Sequence, residues 1–185
     1  MDPNRSTAWA DPLVMKAQQV AADAHKGQKR KHSNDPYLIH PMRVARRVMT
    51  RPDATPEMVA AAWLHDVVED TPVTLDEIGK EFGSEIAQLV RELTNASEGS
   101  RAPRKERKAM DRAKLAGASR EAKIIKLLDR IDNLDDLRKS PADDDFRDLY
   151  AEESRALADA IGDADSRLKN ELLQLADEVS PRIGT

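Results

Sequence analysis

The feature that most restricts what this chain can fold into is helix punctuation that recurs along its length, with no convincing alternating strand pattern anywhere. Asp11–Pro12 reads as an N-cap followed by proline at the first helical position, and Gly27 closes that segment. Thr55–Pro56 repeats the signal. Thr74 and Glu77 have capping-box spacing ahead of a short helix that ends near Gly83. Ser84 then opens "SEIAQLVRELTN", where Ile86, Leu89, Val90 and Leu93 fall at helical spacing. Further helices are predicted over 103–117, 120–136, 144–161 and 164–179, the last with Leu168, Leu172, Leu175 and Val179 as an apolar stripe. Segments 28–41 and 95–103, rich in Gly, Ser, Asn, Pro and charge, are expected as ordered loops. With no repeat and no interdomain linker, the 185 residues are expected to form one all-α domain, 1–185, large enough to bury a core.

Composition narrows the function classes. A hydrophobic fraction of 39% and a charged fraction of 35% describe a soluble globular protein. No apolar run approaches the ~20 residues of a membrane span, and the N-terminal "MDPNRSTAWAD" lacks a signal-peptide pattern. No membrane partner is expected, and the cytoplasm is the default location. The absence of cysteine leaves only histidine and carboxylate ligands for any metal. A net charge of −4 with 3% aromatic residues argues against a nucleic-acid binder, which needs a basic surface or stacking platforms. Charge is uneven locally: 25–32 and 101–114 are basic, whereas "LDRIDNLDDL" and "PADDDFRD" are acidic.

Within the apolar run "MVAAAWLHDVV" begins the stretch "WLHDVVEDT", which places His65, Asp66, Glu69 and Asp70 where a core helix is expected. On a continuous helix His65 would stand over Glu69, and Asp66 over Asp70. Like charges four residues apart weaken a helix, and a bound cation reverses that sign. Two further groups lie in apolar settings: His40 in "PYLIHP", before the helix-starting Pro41, and Asp129 in "KIIKLLDRIDNL". Two imidazoles and two carboxylates suit one borderline divalent ion such as Mn, Fe, Co or Zn.

His40, the adjacent His65–Asp66 pair and the distant Asp129 resemble the H…HD…D ligand order of the HD-domain phosphohydrolases, which are helical bundles. "AHKGQKRK…DPYLIHPMRVA", "AAWLHDVVEDTPVTLDEIGKEFG" and "AKIIKLLDRIDNL", spanning about 22–137, are similar to the hydrolase domain of the RelA/SpoT family, and in particular to its stand-alone alarmone hydrolases. The resemblance implies a manganese-dependent enzyme that removes the 3′-pyrophosphate from (p)ppGpp, giving GDP or GTP plus pyrophosphate. It implies His40, His65, Asp66 and Asp129 as metal ligands, and Glu69 and Asp70 as the acids that position and activate water. It further implies Arg30 and Lys31 against the nucleotide, Asn133 near ribose and phosphates, and Tyr150 either at a substrate phosphate or in the core. The basic stretch 101–114 either attracts the pyrophosphate end or is a plain exposed helix. His25 is expected to be a structural partner near the site.

Three departures from that pattern bear on the substrate. "RKHSNDPY", carrying His32, is one residue longer than the family's usual loop. Asp132 stands where the family has an aromatic residue or histidine, which would put an extra acid near the substrate. "RELTNAS" replaces a different segment in one wall. Alternatives therefore stay open: an adenosine alarmone, a nucleotide 2′- or 3′-phosphate such as NADPH, or a non-catalytic nucleotide sensor. Oligomeric state is expected to be monomer or homodimer.

Overall fold

A computed structural model describes residues 10–31 and 34–180. The N-terminal segment before residue 10, expected to lack a signal peptide, and His32 lie outside the described residues. The chain is all-α: α1 Pro12–Ala24, α2 Ile39–Met49, α3 Pro56–Leu64, α4 Val67–Asp70, α5 Leu75–Phe82, α6 Ser84–Leu93, α7 Arg104–Ala116, α8 Arg120–Lys139, α9 Asp144–Ile161 and α10 Ser166–Val179. Among the described residues there is no strand, only an isolated bridge between Lys29 and Pro36. None of their helices is long and apolar enough to cross a membrane.

The start signals act as the sequence suggests. The Asp11 carboxylate accepts from Leu13 N at 2.8 Å, Thr55 accepts from Met58 N, and Thr74 with Glu77 closes a complete capping box. Each satisfies amides that a helix start leaves without partners. Gly83 links α5 to α6 at φ +86°, a conformation that side-chain-bearing residues avoid.

Two helices form the axis of the bundle. In α3 every residue from Met58 to Leu64 is buried, as expected of a helix apolar on all sides, and it packs against α1, α2 and α6. α8 packs against α2, α6, α9 and α10 and buries Ile124, Ile125, Leu127, Leu128, Ile131, Leu134 and Leu137. It runs to Lys139, three residues beyond the expected 136, because Leu137 extends the same apolar face.

Three expectations are corrected. The loop expected over 28–41 gives way to α2 at Ile39, with Pro41 as the third helical residue rather than the first. Proline fits there because an amide in the first turn has no intrahelical acceptor. The stripe of α10 is carried by Leu168, Leu172, Ala176 and Val179, and Leu175 is only partly buried. Finally, "WLHDVVEDT" is not one helix. α3 ends at Leu64, Asp66 sits at φ −101° and ψ −6°, and α4 starts at Val67. That break sets the geometry of the site.

Candidate metal centre

Where α3 ends, its last carbonyls lose their helical donors. The carbonyl of Ala62 instead accepts from Nδ1 of His65 at 2.7 Å, which fixes the ring and turns Nε2 away from the backbone. His40, in the first turn of α2, is fixed in parallel: its Nδ1 donates to Asp132 Oδ2 at 2.7 Å. Both rings are buried, and their Nε2 atoms stand 3.2 Å apart. In neutral imidazoles so arranged, both Nε2 atoms carry lone pairs, and their approach is repulsive unless a proton or a metal cation lies between them.

Carboxylates complete the cluster. Asp66 Oδ2 is 3.1 Å from His65 Nε2 and 3.6 Å from His40 Nε2. Asp129 Oδ1, from the middle of α8, is 3.1 Å from His40 Nε2 and 3.8 Å from His65 Nε2. Donors held about 2.1 Å from one cation stand about 3.0–3.4 Å apart in octahedral or tetrahedral shells. The spacing and the donor set therefore fit a divalent metal, and His40, His65 and Asp66 form a group able to hold one.

The charges show the same demand. Burial opposes protonation of His40, but hydrogen bonds to Asp129 and Asp132 outweigh it and hold the metal-free ring at about 9. Burial likewise opposes the charge on His65, and Asp66 raises it. Despite burial, Asp66 is held below the usual carboxylate range by His65, and Asp129 well below it by Lys126 and His40. Lys126, three residues before Asp129 and 2.8 Å from its Oδ2, is kept charged against its own burial by Asp129 and Glu69.

Glu69 and Asp70 lie beyond the break, beside the cluster. Both oxygens of Glu69 are clamped by Asn95, through its backbone N–H and its side-chain amide, each at 2.6 Å. Asn95 is fixed in turn because Lys114 donates to the carbonyls of Arg91 and Thr94 at the end of α6. Burial pushes the Glu69 carboxyl up. Asp70 is exposed and is raised first by desolvation and then by Asp66. The Tyr37 hydroxyl stands between the two aspartates, 2.6 Å from Asp66 and 3.0 Å from Asp70. It bridges the like-charged pair that the sequence leaves unexplained.

The remaining expected residues converge here too. Arg30 donates to Asp136 and, at 2.8 Å, to Asn133, whose own amide donates to Asp129 at 2.5 Å. Lys31 lies 5.5 Å over the Phe146 ring, and Tyr150 is covered by Arg130 at 4.4 Å. His25 hydrogen-bonds Gln28 at 2.7 Å and packs on Tyr37. A cavity of about 230 Å³ opens beside the cluster, lined by the acids Asp66, Glu69 and Asp129 and by the cations Arg104, Lys108, Arg112 and Arg130. A second, of about 590 Å³, holds Arg30, Lys31, Arg43 and Phe146, and both share Tyr37, Asn133 and Tyr150. The basic stretch 101–114 thus faces the site through α7.

Asp132 does not face the substrate side. It is buried behind His40, with both oxygens engaged by His40 and Arg43. The sequence reading misplaced it, and missed Tyr37, Arg43, Asn95 and Lys126. Tyr37 and Arg43 lie three residues either side of His40, and Lys126 three before Asp129, so helical spacing could have found Arg43 and Lys126. Asn95 has no local signal, since it meets Glu69 across 26 positions.

A helical bundle that brings two histidines and two aspartates to one point, with the adjacent His65–Asp66 pair at its centre, defines a class: the chain belongs to the HD-domain family, which matches residues 17–157. Within that family it is similar to the guanosine-3′,5′-bis(diphosphate) 3′-pyrophosphohydrolase MESH1. The Xenopus tropicalis protein is 38% identical over 129 residues, covering 69% of this chain and 70% of that one. The Homo sapiens protein is also 38% identical over 129 residues, covering 68% and 70%. A solved metazoan ortholog of SpoT, described as hydrolysing ppGpp, superposes with a TM-score of 0.82 at 31% identity, covering 91% of this chain and 96% of its own. A Listeria monocytogenes EGD-e structure gives a TM-score of 0.63 at 26% identity, covering 80% and 99%.

Proposed function

We propose that the chain is a divalent-metal-dependent guanosine-3′,5′-bis(diphosphate) 3′-pyrophosphohydrolase, with Mn²⁺ held by His40, His65, Asp66 and Asp129. The observation that carries this reading is the convergence of those four donors beside Glu69 and Asp70, in a cleft that basic residues also line. The relatives' described activity supplies the substrate class.

A divalent ion there supplies Lewis acidity, which lowers the pKa of water and neutralises phosphate charge. The chain's own residues do the rest. Glu69, fixed by Asn95, and Asp70, beside Tyr37, hold the attacking water and accept its proton. Water adds to the phosphorus bonded to O3′, the P–O3′ bond breaks, and the proton passes to the departing O3′. The products are the nucleoside 5′-diphosphate or triphosphate and pyrophosphate. Arg104, Lys108, Arg112 and Arg130 face the phosphates and stabilise the charge that develops. Asp136 and Asn133 hold Arg30 by its edge, with Tyr37 against one face, so that its other face is presented to the base together with Lys31. Asn133 and Tyr150, shared by both cavities, line the passage between base and phosphates.

The test is turnover by the purified, Mn²⁺-loaded protein on a panel of ppGpp, pppGpp, ppApp and NADPH, read as pyrophosphate or phosphate release. Pyrophosphate from ppGpp with the highest kcat/KM is expected. Folded, metal-replete protein inert on the whole panel overturns the reading, and preference for ppApp or NADPH moves it to that substrate.

A further inference from the structure

The two histidines of the centre are oriented by different means. A backbone carbonyl holds His65, so no single side chain can be lost there. His40 depends on a side chain, Asp132, which is itself held by Arg43: Nε reaches Oδ1 at 2.7 Å and Nη2 reaches Oδ2 at 3.0 Å. Arg43 also bonds Asp136 Oδ1 at 2.7 Å, so its fork ties two acids of α8 to one face of α2. The arrangement has a simple register: His40 and Arg43 are three apart on α2, and Asp129 and Asp132 are three apart on α8. The first member of each pair points at the metal cluster, and the second pairs with its opposite number.

We propose that Asp132, clamped by Arg43, is a positioning residue that sets His40 for the metal. The inference rests on the metal reading given above. A carboxylate accepting from the distal nitrogen of a ligand histidine fixes the ring's orientation and tautomer and makes the free nitrogen a stronger donor. Arg43 has a separate task. Asp132 is buried a short distance from Asp129 and Asp136, and without a cation it would turn towards solvent and release the ring. Asp132 therefore adds nothing to substrate contact, and its effect is read in metal affinity.

The experiment is Mn²⁺ titration of folded wild type, Asp132→Ala, Asp132→Asn and Arg43→Met, by calorimetry or by the loss of the free-ion EPR signal, followed by turnover at saturating Mn²⁺. Loss of a histidine's outer partner typically costs about 10- to 100-fold in affinity, which is the loss expected for Asp132→Ala. Asp132→Asn keeps an acceptor but loses the charge, and is expected to lie between it and wild type. Arg43→Met is expected to weaken binding several-fold. With Mn²⁺ raised in proportion, kcat of the Asp132 variants should return to within about twofold, because Asp132 acts through affinity alone. A purely structural residue would lower thermal stability and leave Mn²⁺ affinity unmoved. Wild-type affinity in folded Asp132→Ala overturns the proposal; if that variant does not fold, wild-type affinity in Asp132→Asn does so. Wild-type protein that takes up no Mn²⁺ removes the metal reading itself and is thereby told apart.

Discussion

The two walls of the cleft are built on opposite plans. The acidic wall, from α2, the α3–α4 break and α8, gathers Asp66 and Asp129 around two imidazoles with Glu69 and Asp70 nearby, and its side chains are hydrogen-bonded to neighbouring residues. The basic wall, from α7 and the buried Arg130 of α8, has cations that are committed unevenly. Arg104 is forked to Glu153, Lys108 lies 3.5 Å from Asp111, and Arg130 covers Tyr150. Arg112 lines the cavity with no acidic partner among the described residues. The difference teaches where rigidity was needed. On the proposed reading, a metal tolerates errors of only about 0.2 Å, so its wall is locked; phosphates need field and reach, which a looser row of cations supplies.

The sharpest way to break the comparison is to disarm one wall and watch the other. Asp66→Ala removes a proposed ligand and leaves two imidazoles facing each other, so the variant is expected to hold no stoichiometric Mn²⁺ by elemental analysis. Its activity should fall more than ~1,000-fold, the order seen when an essential catalytic component is lost. Stoichiometric Mn²⁺ with full activity would show that Asp66 is not part of the centre. Glu69→Gln preserves size and one hydrogen-bond acceptor but cannot take a proton. Mn²⁺ content should stay at wild-type level while kcat falls about 10²- to 10⁴-fold, the usual worth of a general base. In wild type, Glu69 is raised by burial, and the proposed base must be ionised to act, so the rate should decline as pH drops through its raised value.

These effects fall on residues whose legibility in the sequence differed sharply. His65 and Asp66 are adjacent, and an acid pair following an apolar run is visible as a local anomaly. His40 and Asp129 stand out once a metal is suspected, because both sit in apolar runs. The helix break between Leu64 and Val67 was not legible, since the run "WLHDVV" satisfies helical periodicity whether or not it is interrupted. Asp132 was misjudged for the same class of reason: its partner His40 lies 92 positions away, and only the packing of α2 on α8 decides which acid meets the ring and which meets the ion. The facing of α7 towards the cleft depends on its contact with α9, which no local pattern in "RAPRKERKAMDRAK" specifies.

The acidic wall should also respond to pH in a way the basic wall does not. Metal-free His40 titrates at about 9, above its ordinary 6.5, because bonds to Asp129 and Asp132 outweigh the opposing effect of burial. A raised value means that the contribution of the protonated ring to stability is complete below pH 6.5 and is lost as pH rises through 9. Metal binding needs the opposite form, with Nε2 free. Between pH 7 and 9, Mn²⁺ affinity should therefore rise by about tenfold per pH unit if one proton is released, and level off above. Calorimetry in two buffers of different ionisation enthalpy counts that proton directly. Affinity independent of pH across this range would mean that the ring is already neutral in the metal-free protein.

The smallest expected effect sharpens the contrast most, because it asks whether the basic wall works by field alone. Arg112→Met removes a cation that pairs with no acid among the described residues, so its loss strands no buried carboxylate there and should leave folding and Mn²⁺ content unchanged. If the wall attracts phosphate equally in ground and transition states, KM for ppGpp should rise about tenfold with kcat within about twofold. The deficit should shrink in high salt, where the wild-type advantage is screened as well. A drop in kcat at unchanged KM would give the opposite lesson: Arg112 would then contact charge that appears only during P–O3′ cleavage, and the looser wall would be as much a part of the chemistry as the locked one.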